Sequence, residues 1–193
     1  MDYYNQLKNL QPNFIVIIPF KEYVAELVRE LELHSIEIVF KTDSILLVHS
    51  LQAGDLFVPI WAQDIWYNCT GHEIKSINQG IEILKKFKNI GSYYPLVKSN
   101  FGDMISKKIK NVPLKRIKYE PNHPFNFKFT AWTILDSFLI TSEKTLKRFP
   151  FGWHEFEEDK TSPPNRAYLK LWETFTVYGV DIKKTDTVIE VGS

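Results

Sequence analysis

Residues Phe14 to Ile18 read Phe-Ile-Val-Ile-Ile and are stopped by Pro19. An apolar run of this length, mostly β-branched and closed by proline, predicts a strand buried on both faces. Such a strand needs cover. Lys21 to Leu33 supplies it, with Val24, Leu27, Val28 and Leu31 at helical spacing and a Glu-rich opposite face. Ile36 to Phe40 and Ile45 to His49 predict two more strands, separated by the turn residues Lys41-Thr42-Asp43-Ser44. A short polar piece, Leu51 to Asp55, leads into Phe57 to Ile60, and Ile65 to Cys69 predicts a further strand. Strand, helix, strand, strand, linker or short helix, strand is the order of a ferredoxin-like split β-α-β unit, here over residues 1–74.

The next segment is patterned differently. Ser76 to Lys88 carries Ile77, Ile81, Leu84 and Phe87 at helical spacing and closes on Lys85, Lys86 and Lys88, where cations suit the helix dipole. Tyr93 to Val97 predicts a strand that Pro95 confines to an edge. Asp103 to Lys110 predicts a short basic helix, and Leu114 to Tyr119 an alternating strand. Phe125 to Leu135 and Phe138 to Thr141 flank Asp136-Ser137 and predict a hairpin. Phe149 to Asp159 is a polar-aromatic linker with acids at Glu155, Glu157, Glu158 and Asp159, and the boundary falls near Lys160. The fold class expected is α+β.

The formal net charge of +1 hides an uneven distribution. Residues 1–74 carry four Lys/Arg against ten Asp/Glu, a net of −6; residues 75–118 carry eleven against two, a net of +9. A local excess of that size attracts a polyanion, although a lysine-rich solvated helix face has the same composition. The aromatics Phe87, Tyr93, Tyr94 and Phe101 interleave with these cations; they serve either base stacking or the core.

Other chemistries find less support. His34, His49, His72, His123 and His154 lie far apart, without the close spacing of a zinc site, so no metal is expected. The single Cys69 excludes an intrachain disulfide and reads as a buried small hydrophobe. No run approaches the ~18 apolar residues of a membrane span. The first residues lack the pattern of a secretory signal, so a cytoplasmic protein is expected. No intact nucleophile elbow, P-loop or dinucleotide fingerprint occurs.

The last thirty residues are the most specific. Pro163-Pro164 fits the start of a helix, along which Tyr168, Leu171, Trp172 and Phe175 form an apolar stripe with Arg166 and Lys170 off it. Thr187 to Val191 predicts a buried strand ending in Glu190-Val-Gly192-Ser193, the way a doubly wound nucleotide-binding sheet begins.

Asn165-Arg-Ala-Tyr-Leu-Lys-Leu-Trp-Glu173, followed by Asp186-Thr-Val-Ile-Glu-Val-Gly-Ser193, resembles the opening of the FtsJ-like RNA ribose 2′-O-methyltransferases. In that family a Ser-Arg-Ala/Ser-x-x-Lys-Leu-x-Glu helix precedes the first strand of the S-adenosylmethionine fold. Arg166, Lys170, Leu171 and Glu173 match, while Asn165 stands where the family has Ser. The preceding Pro-Pro and the long α/β region most resemble the RlmM type.

The resemblance implies residues 75–160 as a THUMP-like RNA-binding subdomain and 161–193 as the start of a Rossmann-like methyltransferase domain. It implies Lys170 as the first lysine of a Lys-Asp-Lys-Glu catalytic set, placed to favour the developing 2′-oxyanion. It implies Glu190, Gly192 and Ser193 at the start of the cofactor motif. The remaining catalytic residues and the Pro-Gly-Gly turn do not occur in these 193 residues. The cofactor S-adenosyl-L-methionine is therefore expected in the parent enzyme and not on this chain. RNA, ribosomal by analogy, is the expected partner, through Lys85, Lys86, Lys88, Lys98, Lys107, Lys108, Lys110, Lys115, Arg116, Lys118 and Arg166. The rival expectation is a non-enzymatic RNA- or protein-binding α+β module.

Overall fold

The computed structural model describes residues 7–8, 10–51, 57–112, 116–119, 128–152, 155–161, 166–178, 180, 183, 185–187 and 189. The chain is α+β and forms two compact units, Met1–Pro113 with Lys128–Gly152, and Leu114–Phe127 with Trp153–Ser193.

The first unit is built on one mixed sheet. Strand β1 (Phe14–Pro19) is buried along its whole length, as its unbroken apolar run requires. Helix α1 (Val24–Leu33) follows, then β2 (Ile38–Lys41) and β3 (Leu46–Val48). The long strand β4 spans Ala62–Glu73. Strand β1 lies between β3 and β4, and β2 lies outside β3, with every neighbour antiparallel. The order β2-β3-β1-β4 is the ferredoxin-like arrangement. Leu27 and Leu31 of α1 pack on Ile15, Ile17, Leu46, Val48 and Ile65 of this half. The expected short piece at Leu51 to Asp55 lies, beyond Leu51, outside the described residues, and 57–61 is not helical.

Strand β4 is longer than its hydrophobic pattern announces, because it serves two halves of the sheet. Its register against β1 shifts between Phe14 and Val16, where β4 carries one extra residue. Asn68 stands there at φ 53°, a conformation that Asn tolerates better than most residues. Beyond this bulge, Thr70 to Glu73 pair with β7 (Phe138–Ser142), and before it Trp66 and Tyr67 pair with the short β8 (Lys144–Thr145).

The rest of this unit follows from two amphipathic helices. Helix α2 (Ile77–Lys85) starts at Ser76, whose Oγ accepts the Gln79 N–H, while Gln79 Oε1 accepts the Lys75 N–H. Helix α3 (Asn100–Lys108) starts at Ser99, whose Oγ accepts the Gly102 N–H. Between them runs β5 (Ile90–Tyr93), parallel to β6 (Phe129–Leu135). Strand β6 turns into β7 through Asp136, at φ 55°, the hairpin expected from Asp136-Ser137. Ile74, Leu84 and Ile105 close over Trp132, Ile134 and Leu139 to form the second core.

The smaller unit is described by itself. Ile117 and Phe156 form an isolated parallel bridge; of the strand expected at Leu114 to Tyr119, residues 114 and 115 lie outside the described residues, and residues 116–119 contribute this bridge. Helix α4 (Tyr168–Tyr178) presents Trp172, which stacks on Tyr119 at 4.6 Å and meets Phe156 and Tyr168 edge-on. The expected apolar stripe is corrected at Leu171, which is 56% exposed. The cluster around Trp172 is filled from Tyr119 and Phe156, and the Leu171 side chain is left facing solvent.

Candidate nucleic-acid interface

The basic block resolves into two groups of lysines on adjacent helices. Helices α2 and α3 pack so closely that a Cβ on Gly80 would lie 2.5 Å from Ile105 Cδ1. Lys85 ends α2, Lys86 is its C-cap and Lys88 follows two residues later. Lys107 and Lys108 occupy the last turn of α3, and Lys110 follows. All six side chains are exposed.

The sheet brings the two groups together. The chain leaving α2 enters β5 at Ile90. The chain leaving α3 returns to the same strand, where Asn111 forms a parallel bridge with Gly91 and the Val112 N–H donates to the Gly91 carbonyl at 3.1 Å. Paired strands lie roughly 5 Å apart. Lys110 is therefore held next to the strand end that Lys88 leads into. Asn111 secures the return, its Nδ2 donating to the Ser106 and Ile109 carbonyls. The helix ends carry partial negative charge, so some of each cation offsets its own helix dipole. Six cations exceed what two helix termini require, and the surplus faces solvent. Lys98 is exposed on the loop before α3.

In the smaller unit two of the candidate cations, Arg116 and Arg166, are ion-paired. Arg116 pairs with Glu155 at 3.1 Å, and that carboxylate, with Glu158 and Glu157 beyond it, holds the guanidinium pKa above its ordinary value. Arg166 pairs with Glu158 at 2.6 Å. Lys118 is exposed. Lys170 is exposed on α4, with its carbonyl accepting from Thr174 Oγ1 at 2.9 Å. Lys115, Asn165, Glu190, Gly192 and Ser193 lie outside the described residues, so the residues expected to meet the cofactor have no described geometry.

Two titratable groups on β4 have shifted pKa values, the half-buried His72 and the buried Asp64. His72 on β4 is held below the ordinary imidazole pKa, first by burial and then by Lys86. Asp64, also on β4, is 2% exposed. Its Oδ1 accepts the N–H groups of Ile65 at 2.9 Å and Lys147 at 3.0 Å; its Oδ2 accepts Trp66 Nε1–H at 3.2 Å and, more weakly, Tyr94 O–H at 3.5 Å. Tyr94 Oη in turn accepts the Phe151 N–H at 2.8 Å, and the two rings stack at 4.1 Å. This network ties β4 to the segment after β8. No motif marks Asp64, since an acid inside a strand pattern reads as a solvent-facing position. Tyr94 is buried, so the core alternative holds for it; Phe87, Tyr93 and Phe101 are partly buried, and Tyr93 stacks on Trp132.

Among the described residues no group of three or more His, Cys, Asp or Glu is placed to hold a metal ion. No described helix is long and apolar enough to cross a membrane.

No family model and no curated protein matches the chain. Solved structures of similar build include a possible methylase from Clostridium difficile 630, 13% identical over 68% of this chain and 41% of that one, with a TM-score of 0.40. PH1313 from Pyrococcus horikoshii Ot3 is 10% identical over 69% of this chain and 54% of that one, with a TM-score of 0.37. A 4-thiouridine synthetase in complex with RNA and bound ATP is 11% identical over 70% of this chain and 42% of that one, with a TM-score of 0.32. The chain spans 41% to 54% of the length of these structures. All three scores lie below 0.5, and methylase, RNA and ATP are said of those proteins alone.

Proposed function

We propose that this chain is the RNA-binding part of an S-adenosylmethionine-dependent RNA ribose 2′-O-methyltransferase of the cytoplasm, acting on ribosomal RNA. The observation that carries RNA binding is the convergence of Lys85, Lys86 and Lys88 with Lys107, Lys108 and Lys110 at the Gly91–Asn111 bridge. Flexible ammonium groups on a rigid two-helix platform suit phosphates, and they carry no base specificity of their own. The methyl-transfer part is supported by the Asn165-to-Ser193 resemblance alone, with Lys170 as its catalytic lysine and Glu190, Gly192 and Ser193 toward the cofactor.

Binding is tested with a structured RNA hairpin and a variant in which Lys85, Lys86, Lys107, Lys108 and Lys110 are Glu. These side chains are exposed, so the variant should fold. Loss of binding is expected; unchanged affinity refutes the surface. Transfer is tested in the full gene product, where Lys170→Ala should abolish ribose methylation and leave RNA affinity intact.

A further inference from the structure

The acidic end of the first unit carries an apolar surface that neither core uses. The segment after Phe57 runs back along one side of α1. Phe57 packs on His34 with ring centroids 4.0 Å apart, and Trp61 stacks on Tyr23 at 4.5 Å and 17°. Between these two contacts the Glu30 carboxylate accepts the Ile60 N–H through Oε1 at 2.9 Å and the Trp61 N–H through Oε2 at 3.4 Å. The Phe20 N–H donates to the Trp61 carbonyl at 3.1 Å, which fixes the near end.

This framework holds apolar side chains outward. Ile60 is 75% exposed, Leu33 78%, Phe20 42%, Val58 41% and Tyr23 40%. A segment fastened at both ends and through its own backbone N–H groups does not need these side chains exposed in order to fold. Exposed apolar side chains along a braced helix and segment mark an interaction surface.

The charge around them selects the partner. Glu22 and Glu26 are exposed beside Tyr23, Glu30 lies within the surface, and residues 20–34 carry four Glu against Lys21 and Arg29, a net charge of −2. An RNA backbone is repelled here. A protein segment with apolar side chains on one face and Lys or Arg on the other fits both features. We infer that the Phe20–Tyr23–Leu33–Ile60 surface docks a cationic amphipathic segment of a protein partner.

The test uses the 193-residue chain and four probes: an 18-residue Leu/Lys amphipathic peptide, its Leu/Glu counterpart, a Ser/Lys peptide of equal charge, and an RNA hairpin. Backbone amide NMR reports the site and titration the affinity. The Leu/Lys peptide should bind, with shifts gathered at Phe20, Tyr23, Leu33, Ile60 and Trp61. Ile60→Ser and Leu33→Ser leave the core untouched, and each should weaken it roughly five-fold or more. Glu22→Gln with Glu26→Gln should lower both the affinity and its salt dependence. Equal binding of the Ser/Lys or Leu/Glu peptide, no binding of the Leu/Lys peptide, shifts placed elsewhere, or RNA-induced shifts at these residues would each overturn the inference.

Discussion

Asp64 is a carboxylic acid taken out of water and given hydrogen bonds in return. Burial raises its pKa from 3.8 to about 6, against the bonds from Lys147, Ile65 and Trp66, which lower it. The folded-state value lies above the unfolded one, so folding takes up a proton between them. The stability this group contributes is fully present below about pH 3.8 and is lost as pH rises through about 6. The loss is on the order of 2–3 kcal/mol. Asp64→Asn removes it, so the stability of the native chain relative to this variant should fall by that amount from pH 4 to pH 7. Urea unfolding of both proteins at the two pH values measures this, and a difference that does not change with pH would contradict it. Cys69 makes a simpler case. It is fully buried, its Sγ donates to the Trp66 carbonyl at 3.3 Å, and burial pushes its thiol up to about 12. A thiol-specific chromogenic reagent at pH 8 should label it only after the protein is unfolded; rapid labelling of the native protein would mean that the β4 core opens.

At the scale of elements, the platform of α2 and α3 depends on two glycines whose missing side chains let its elements approach. A Cβ on Gly80 meets the end of a flexible Ile105 side chain, which can shift. A Cβ on Gly102 meets the Tyr93 ring, and that ring is stacked on Trp132 at 4.5 Å and cannot retreat. Helix propensity alone favours Ala over Gly by about 1 kcal/mol. Forcing an aromatic ring out of a packed core costs typically 1–3 kcal/mol. The clash wins at Gly102: Gly102→Ala should destabilise by about 1 kcal/mol, while Gly80→Ala should lie near neutral. Paired urea titrations decide this, and a stabilised Gly102→Ala would show that the ring has room.

For the molecule as a whole, the lysines were legible as a count and their function depends on placement. If the six lysines at the two helix ends meet phosphates, the logarithm of RNA affinity should fall against the logarithm of salt with a slope of about 4 to 5, roughly 0.7–0.9 per contact. Each Lys→Gln replacement should lower that slope by about one contact. A slope near zero would leave these cations as helix-end charges. The salt-paired Arg116 and Arg166 should contribute less than the lysines, because phosphate must first displace Glu155 and Glu158.

The amino-acid sequence by itself determined the pieces whose stability is local. The Phe14–Ile18 run, mostly β-branched and closed by Pro19, reads as a buried strand. Val24 to Leu31 and Ile77 to Leu84 each make one apolar helix face, and Asp136-Ser137 closes its hairpin where expected. The lysine excess was equally plain, since composition is read directly. Tertiary structure decided what depends on partners distant in sequence. The sequence pattern predicts strand β5 at Tyr93 to Val97; it forms at Ile90–Tyr93, where Phe129 to Trp132 on one side and Asn111 on the other supply its hydrogen bonds. Ile65 to Cys69 lengthened to Ala62–Glu73 because β1, β7 and β8 satisfy polar stretches that no hydrophobic period reveals. Asp64 could be buried only once Tyr94 and Lys147, distant in sequence, had joined the donors Ile65 and Trp66 of its own strand. Backbone and side-chain hydrogen bonds of long range, not local preference, set these features and brought the two lysine groups to one end of the sheet.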